Sequence, residues 1–332
     1  QNQTREGVFY RFFSYFMRIT QIPACNRRTG IEKYGGRMYI PRRNRQAARK
    51  TTEPQMISIV IPSRNNEKRI GRTLAGIFAQ NRRDFEVLSC DDNSADRTPA
   101  ILDYYPEIRR FRMPEGEHLP GEILNRVLPE CRGDIVVVNH ADACPLDADY
   151  LNELLKPLGA PGTAAAFAQQ ESRPDAPFEV WCDTMRRFSS GTPEFSFAGA
   201  AVRRELFDRI PVGASLPLAV APEWARRAEE AGARIVYAPA ARIEYSRPVS
   251  WGNLWDWNRL LGRCRAIALG ELFPFRSFLR RFLRDTLADL RAVRDGRCYS
   301  ALPGIVPWRF VQHYAYYRGN RAAAGNEGKT SC

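Results

Sequence analysis

The sequence predicts an α/β fold: a mostly parallel, Rossmann-like sheet with helices on both faces, followed by a helical, basic C-terminal region. Three observations carry this. Short apolar runs at 57–61, 85–90 and 135–139 alternate with stretches of helical period. Two of those runs are followed by a carboxylate, Asp92 and Asp142, at the strand end where open parallel sheets bind ligands. Beyond Ser250 the chain turns helical and rich in arginine. Its 332 residues, 44% hydrophobic, are enough for a sizeable core. They divide into an N-terminal extension over 1–54, an α/β domain over 55–250 and the C-terminal region over 251–332.

The extension holds an aromatic-rich stretch at 8–19 and a basic run at 41–50. That is the composition of a packed helix with a solvated linker, or of a membrane-surface anchor. The strand at 57–61 leads to a helix over 67–80, with Ile70, Leu74, Ile77 and Phe78 on one face. A strand at 85–90, a helix near 99–105, a strand at 108–111 and a helix over 119–128 follow. The strand at 135–139 is buried, β-branched and too short for a helix. Pro145 is expected to stop its ladder, and Asp147 to cap a helix starting near Ala148. A strand at 163–169 comes next, then a small-residue stretch at 195–203 able to approach a ligand closely. Helices at 204–210 and 222–231 precede the last predicted strand, 234–237. Over 275–293, Phe278, Leu279, Phe282, Leu283, Leu287 and Leu290 recur at helical spacing beside Arg276, Arg280, Arg284, Arg291 and Arg294. A cationic amphipathic helix of this kind suits an anionic membrane surface, as do Trp251, Trp255, Trp257 and Trp308.

The net charge of +13 favours anionic partners. No nucleic-acid-binding motif accompanies it, so nucleic acid is not expected. Eight scattered cysteines without CxxC spacing and three histidines argue against structural zinc and for reduced thiols in the cytoplasm. No run approaches a membrane span and no signal peptide is visible, so the expected location is cytoplasmic, peripheral at the inner membrane face. The first strand has no GxGxxG after it, and Gly328-Lys329-Thr330 lacks the first glycine of a P-loop.

Four ordered blocks resemble a family 2 glycosyltransferase of GT-A fold: ISIVIPSRNNEKRIGRTLAGIFAQ from Ile57, FEVLSCDDNSADRT from Phe85, HADACPLDADYLNELLKPL from His140 and LPLAVAPEWARRAEEAGARIVYAPAA from Leu216. With QQESRPDAPFE from Gln169, the third block is similar to the rhamnosyltransferase-like branch. The resemblance implies a nucleotide-sugar donor, dTDP- or UDP-linked, held by Pro62, Ser63, Arg64, Asn65 and Glu67, with Asp92 accepting hydrogen bonds from the base and Ala141 nearby. It implies Mg2+ or Mn2+ on Asp142 and His140, and inverting transfer of a sugar, rhamnose included, to a glycan or lipid-linked acceptor. A carboxylate base would take the acceptor proton.

Three positions depart from the family. The metal motif Asp-x-Asp or Gln-Asp keeps only its last acid, Asp142. The Glu-Asp pair that carries the base falls on Val220 and Ala221. A Tyr-His-Ser-His stretch is matched by Tyr245, Ser246 and Arg247. Glu223 is the acid nearest the missing base, its alternative role being a first-turn helix acid favoured by the dipole. Glu171 and Asp175 are further candidates. Arg247 is a candidate to bind phosphate in place of metal charge. The expected protein is therefore a glycosyltransferase or, alternatively, a degenerate, catalytically inactive relative that binds a nucleotide or a partner.

Overall fold

Alternating side chains on the first strands build two cores, one on each face of a single sheet. The structure, a computed structural model, describes residues 56–189, 191 and 193–327; the aromatic and basic N-terminal segments and the residues 328–330 lie outside them. The strands β1 (Ile57–Ser63), β2 (Phe85–Asp91), β3 (Ile108–Arg112) and β4 (Ile135–Asn139) pair in parallel in the order β3-β2-β1-β4. Helices α1 (Ile70–Phe78), α2 (Thr98–Asp103) and α3 (Pro120–Val127) make the crossovers. Ile57, Ile59, Ile61, Ile135 and Val137 pack with Ile70, Leu74 and Ile77 of α1. Val60, Val136 and Val138 point the other way, to Ile123, Leu124 and Val127 of α3. Both faces are covered, which is why these strands read as continuous apolar runs.

The second half of the sheet is mixed rather than parallel. β5 (Cys144–Pro145), α4 (Tyr150–Leu155), β6 (Thr163–Glu171), α5 (Phe178–Ser189), β7 (Gly199–Arg203), α6 (Arg204–Arg209), α7 (Val220–Glu230) and β8 (Arg234–Glu244) follow in turn. β7 lies antiparallel between β4 and β6; β6 runs parallel to β8, and β5 caps the edge antiparallel to β8. Pro145 thus does not end pairing but sits in a two-residue edge strand, where a missing N–H costs no ladder bond. Asp147 does not cap a helix; its carboxylate accepts the Asp149 N–H at 3.1 Å, and α4 starts at Tyr150. β8 continues past the predicted 237. Residues 239–241, Pro239 among them, loop out between the Ala168–Ala238 and Gln169–Arg242 pairs, and the ladder resumes.

Three helices complete the chain: α8 (Leu254–Leu269), α9 (Phe275–Gly296) and α10 (Leu302–Glu327). α8 and α10 touch backbone to backbone. A methyl group at Gly262 would overlap the Tyr316 carbonyl, and one at Gly319 the Arg259 carbonyl. Arg309 of α10 is fully buried and joins α10 to Asp183 of α5 and Asp289 of α9, each at 2.7 Å. The tryptophans do not form a surface belt: Trp308 is buried edge-on to Trp251 at 4.9 Å, with Trp255 and Trp257 packed around them. The apolar stripe of α9 divides. Phe278 and Val293 are buried and Phe282 packs against Phe310, whereas Phe275, Leu279, Leu283 and Leu287 stay 51, 42, 56 and 53% exposed. No helix among the described residues is long and apolar enough to cross a membrane. The six described cysteines are free thiols.

Candidate functional site

Two loops at the C-terminal ends of β1 and β2 are zipped together by side chains that bond backbone. The Asn65, Asn66 and Glu67 N–H groups donate to Ser94 Oγ, Thr98 Oγ1 and Asp96 Oδ2 at 2.9, 2.7 and 3.0 Å. Asn65 Oδ1 and Glu67 Oε2 accept the Ala95 and Arg97 N–H groups in return, at 2.9 and 3.1 Å. This reciprocity is what the acid- and hydroxyl-rich DDNSADRT stretch supplies. Asn65 adopts φ 52°, tolerable for asparagine, and turns the chain under a cleft.

The cleft has a volume of about 680 Å³ and collects Pro62, Ser63, Arg64 and Asn65 from this turn, and His140, Ala141 and Asp142 from the end of β4. Arg247 lines it beyond β8, beside Tyr245. Other predicted residues are placed elsewhere. Glu67 is the turn staple just described and is not part of the lining. Asp92 is buried below the floor; it takes Arg64 Nη1 at 2.9 Å and His118 Nδ1 at 2.8 Å, so it holds Arg64 in the wall rather than facing the cleft itself. Glu223 points away from the cleft. Arg227 one turn on claims both its oxygens at 2.6 and 3.0 Å. Ala221, expected at the base position, does line the cleft, preceded by Ala219 at φ 63°.

The donor set around Asp142 does not fit a divalent cation. Asp142 Oδ2 is bound by Arg173 Nη1 at 3.0 Å, a loop residue fixed because its N–H donates to Ser246 Oγ at 2.9 Å. His140 packs edge-on against Tyr245 at 5.5 Å, and burial holds its imidazole below the ordinary range despite the opposing pull of Asp142. Among the described residues, no three His, Cys, Asp or Glu side chains gather in metal-holding geometry. A hard cation wants several free oxygen ligands; here one carboxylate is offered and a guanidinium holds one of its two oxygens.

Residues that the sequence did not point to make up the opposite wall. Arg187 of α5, Glu194 before β7, and Trp257, Leu261 and Arg265 of α8 all line the cleft, so the C-terminal helices contribute to it. Arg265 meets Glu194 at 2.8 Å and Glu271 at 2.7 Å. Burial first, then the neighbouring Arg247, bring the Arg187 guanidinium down to about 10. α5 carried a helical signal: Phe178, Trp181, Met185 and Phe188 recur on one face after Pro177.

Comparison with known proteins bears on this arrangement. The mannosyltransferase PcManGT of Pyrobaculum calidifontis, solved with GDP-Man and Mn2+, superposes with a TM-score of 0.58 at 18% identity, covering 98% of this chain and 97% of that one. The fold is GT-A. Glucosyl-3-phosphoglycerate synthase of Mycobacterium tuberculosis, solved with Mn2+, UDP and phosphoglyceric acid, shares the GT-A core at a TM-score of 0.50 and 19% identity, over 65% of this chain and 78% of that one. Residues 58–211 match the family model of Glycosyl transferase family 2. The beta-monoglucosyldiacylglycerol synthase of Trichormus variabilis is 28% identical over 174 residues, 46% of this chain and 36% of that protein. The matched part thus spans about a third of the length of these curated relatives.

Proposed function

We propose that this chain is a family 2 glycosyltransferase that takes a nucleotide sugar into the cleft and passes the sugar, with inversion, to a lipid-linked acceptor at a membrane surface. The observation that carries the proposal is the cleft at the carboxyl ends of β1 and β4, with the Pro62–Asn65 turn on one side and Arg187 and Arg247 on the other. The turn would hold the nucleotide, and Arg64, steadied by Asp92, the adjoining polar groups. Leu218, Trp257 and Leu261 give the cleft an apolar flank suited to a lipid acceptor. The relatives named as diacylglycerol glucoside synthases support that acceptor class and glucose as donor sugar; rhamnose is the sugar suggested by the QQESRPDAPFE stretch. Peripheral attachment is supported by the exposed Phe275, Leu279, Leu283 and Leu287 beside exposed arginines of α9.

A second reading has its own observation. Ala221 lines the cleft at the position where the resemblance puts the base, and a methyl cannot accept a proton. The chain would then bind a nucleotide sugar and transfer nothing.

Titration calorimetry with UDP-, dTDP- and GDP-linked sugars, followed by a transfer assay to glycolipid in vesicles, tests both. Binding with transfer supports the first proposal, and binding without transfer the second. In the second case Ala221→Asp should raise transfer, since a placed base contributes about 10²–10⁴-fold. Failure of every nucleotide sugar to bind refutes both.

A further inference from the structure

The cleft is charged as an anion site, and its charge comes from three separate elements. Arg187 leaves α5, Arg247 follows β8 and Arg265 leaves α8, yet all three line one cleft. Arg265 is matched, by Glu194 at 2.8 Å and Glu271 at 2.7 Å. The Arg187 guanidinium donates to the Glu194 carbonyl at 2.9 Å and lies 3.9 Å from the Glu194 carboxylate, which Arg265 already holds. Among the described residues no carboxylate lies within ion-pair distance of Arg247. Burial first, then the charge of Arg247, lowers the Arg187 guanidinium, while Glu194 opposes the shift.

The acids at the strand ends do not offset this charge. Asp142 is occupied by Arg173, and Asp92 by Arg64 and His118. Tyr245 stands among the groups concerned: after burial, the charges of Asp142, Arg247, Arg187 and Arg173 all act on its phenol. The two arginines line the same cleft as Asp142. Guanidinium forks match the phosphate oxygens of a nucleotide-sugar diphosphate.

We propose that Arg187 and Arg247 bind the donor diphosphate directly, so that donor binding by this chain needs no divalent cation. The proposal rests on the nucleotide-sugar reading above and adds how the charge is met. The test is calorimetric titration of the full chain with UDP, dTDP and GDP, in EDTA and again in excess Mn2+. The affinity should agree between the two conditions within a factor of about three. Arg247→Gln and Arg187→Gln should each weaken binding about tenfold or more in EDTA, as loss of a charge-assisted hydrogen bond does. The ligand-free melting temperature of Arg247→Gln should hold; a residue of merely structural role would lower it. Binding that requires Mn2+ overturns the inference and leaves the nucleotide-sugar reading standing. Absence of binding in both conditions overturns the two together. Variants that bind as the parent does overturn the assignment to these arginines, and the comparison of EDTA with Mn2+ decides the cation question even if a variant fails to fold.

Discussion

Replacing Arg309 by methionine should destabilise the chain by an amount set by charge balance. Arg309 and Asp289 are both fully buried. The guanidinium donates to Asp289 and Asp183 at 2.7 Å each, to Gln312 Oε1 at 2.6 Å and to the Glu179 carbonyl at 2.9 Å. Arg186 shares both aspartates, at 2.5 and 2.6 Å. Two arginines thus face two aspartates, and Arg309→Met leaves one buried negative charge over. Breaking a buried pair from one side costs about 3–5 kcal/mol, and the remaining Arg186 argues for the lower end, about 3 kcal/mol. Urea unfolding followed by tryptophan fluorescence reads this directly, since Trp308 and Trp251 pack beside the network. The double variant Arg309→Met with Asp289→Leu returns the group to one arginine against one aspartate. It should therefore be more stable than Arg309→Met alone. A single-variant loss below about 1 kcal/mol, no more than an ordinary hydrogen bond, would refute the reasoning. So would a double variant whose loss equals the sum of the two single losses.

Glu179 is buried, and burial raises its carboxyl from 4.5 to about 7. The folded state therefore holds this proton more tightly than the unfolded chain, and the stability it contributes is complete below pH 4.5 and lost as pH rises through about 7. Glu179→Gln should flatten that part of the pH profile in urea melts, and an unchanged slope would contradict it. Ala219 has φ 63° with a side chain, so Ala219→Gly should raise stability by up to about 1 kcal/mol, read as a higher melting temperature. Leu283→Glu, on the exposed ridge of α9, should lower retention on anionic vesicles while leaving the circular dichroism spectrum unchanged; equal retention would remove the ridge from the membrane surface.

Local chemistry made the first half of the sheet legible. Residues 135–139 are apolar and β-branched with no competing period, and β4 occupies those same residues. Strand direction was not legible, because an apolar run reads the same whether its neighbour is parallel or antiparallel; β7 and β5 changed the sheet for that reason. The strand predicted over 234–237 stops short of Pro239, yet a bulge absorbs that proline and the ladder carries Tyr245 and Arg247 to the cleft. The acid Asp142 could be found from its place at a strand end, and the turn residues Pro62 to Asn65 from the family resemblance. Arg187, Glu194 and Arg265 could not, since each comes from a different element and only the packing of α5 and α8 brings them to one wall. The stripe on α9 was legible as a stripe, but not its division: α10 covers Phe278 and Phe282 and leaves Leu283 to solvent.

The glycine contact between α8 and α10 reaches further than helix packing. Among the described residues α10 contributes nothing to the cleft lining, yet it is the surface on which α8 rests, and α8 carries Trp257, Leu261 and Arg265 into the cleft. At Gly262 and Gly319 the two backbones meet with no side chain to cushion a change. A shift of α10 is therefore passed to α8 with little loss. Substitutions on a helix that never meets a ligand could retune which acceptor fits, and a recombinant chain trimmed near Ser250 would keep the sheet but lose one side of its cleft. The last helix is thus better regarded as the hinge-side post of a doorway than as a tail, and libraries aimed at altered acceptor choice have reason to include it.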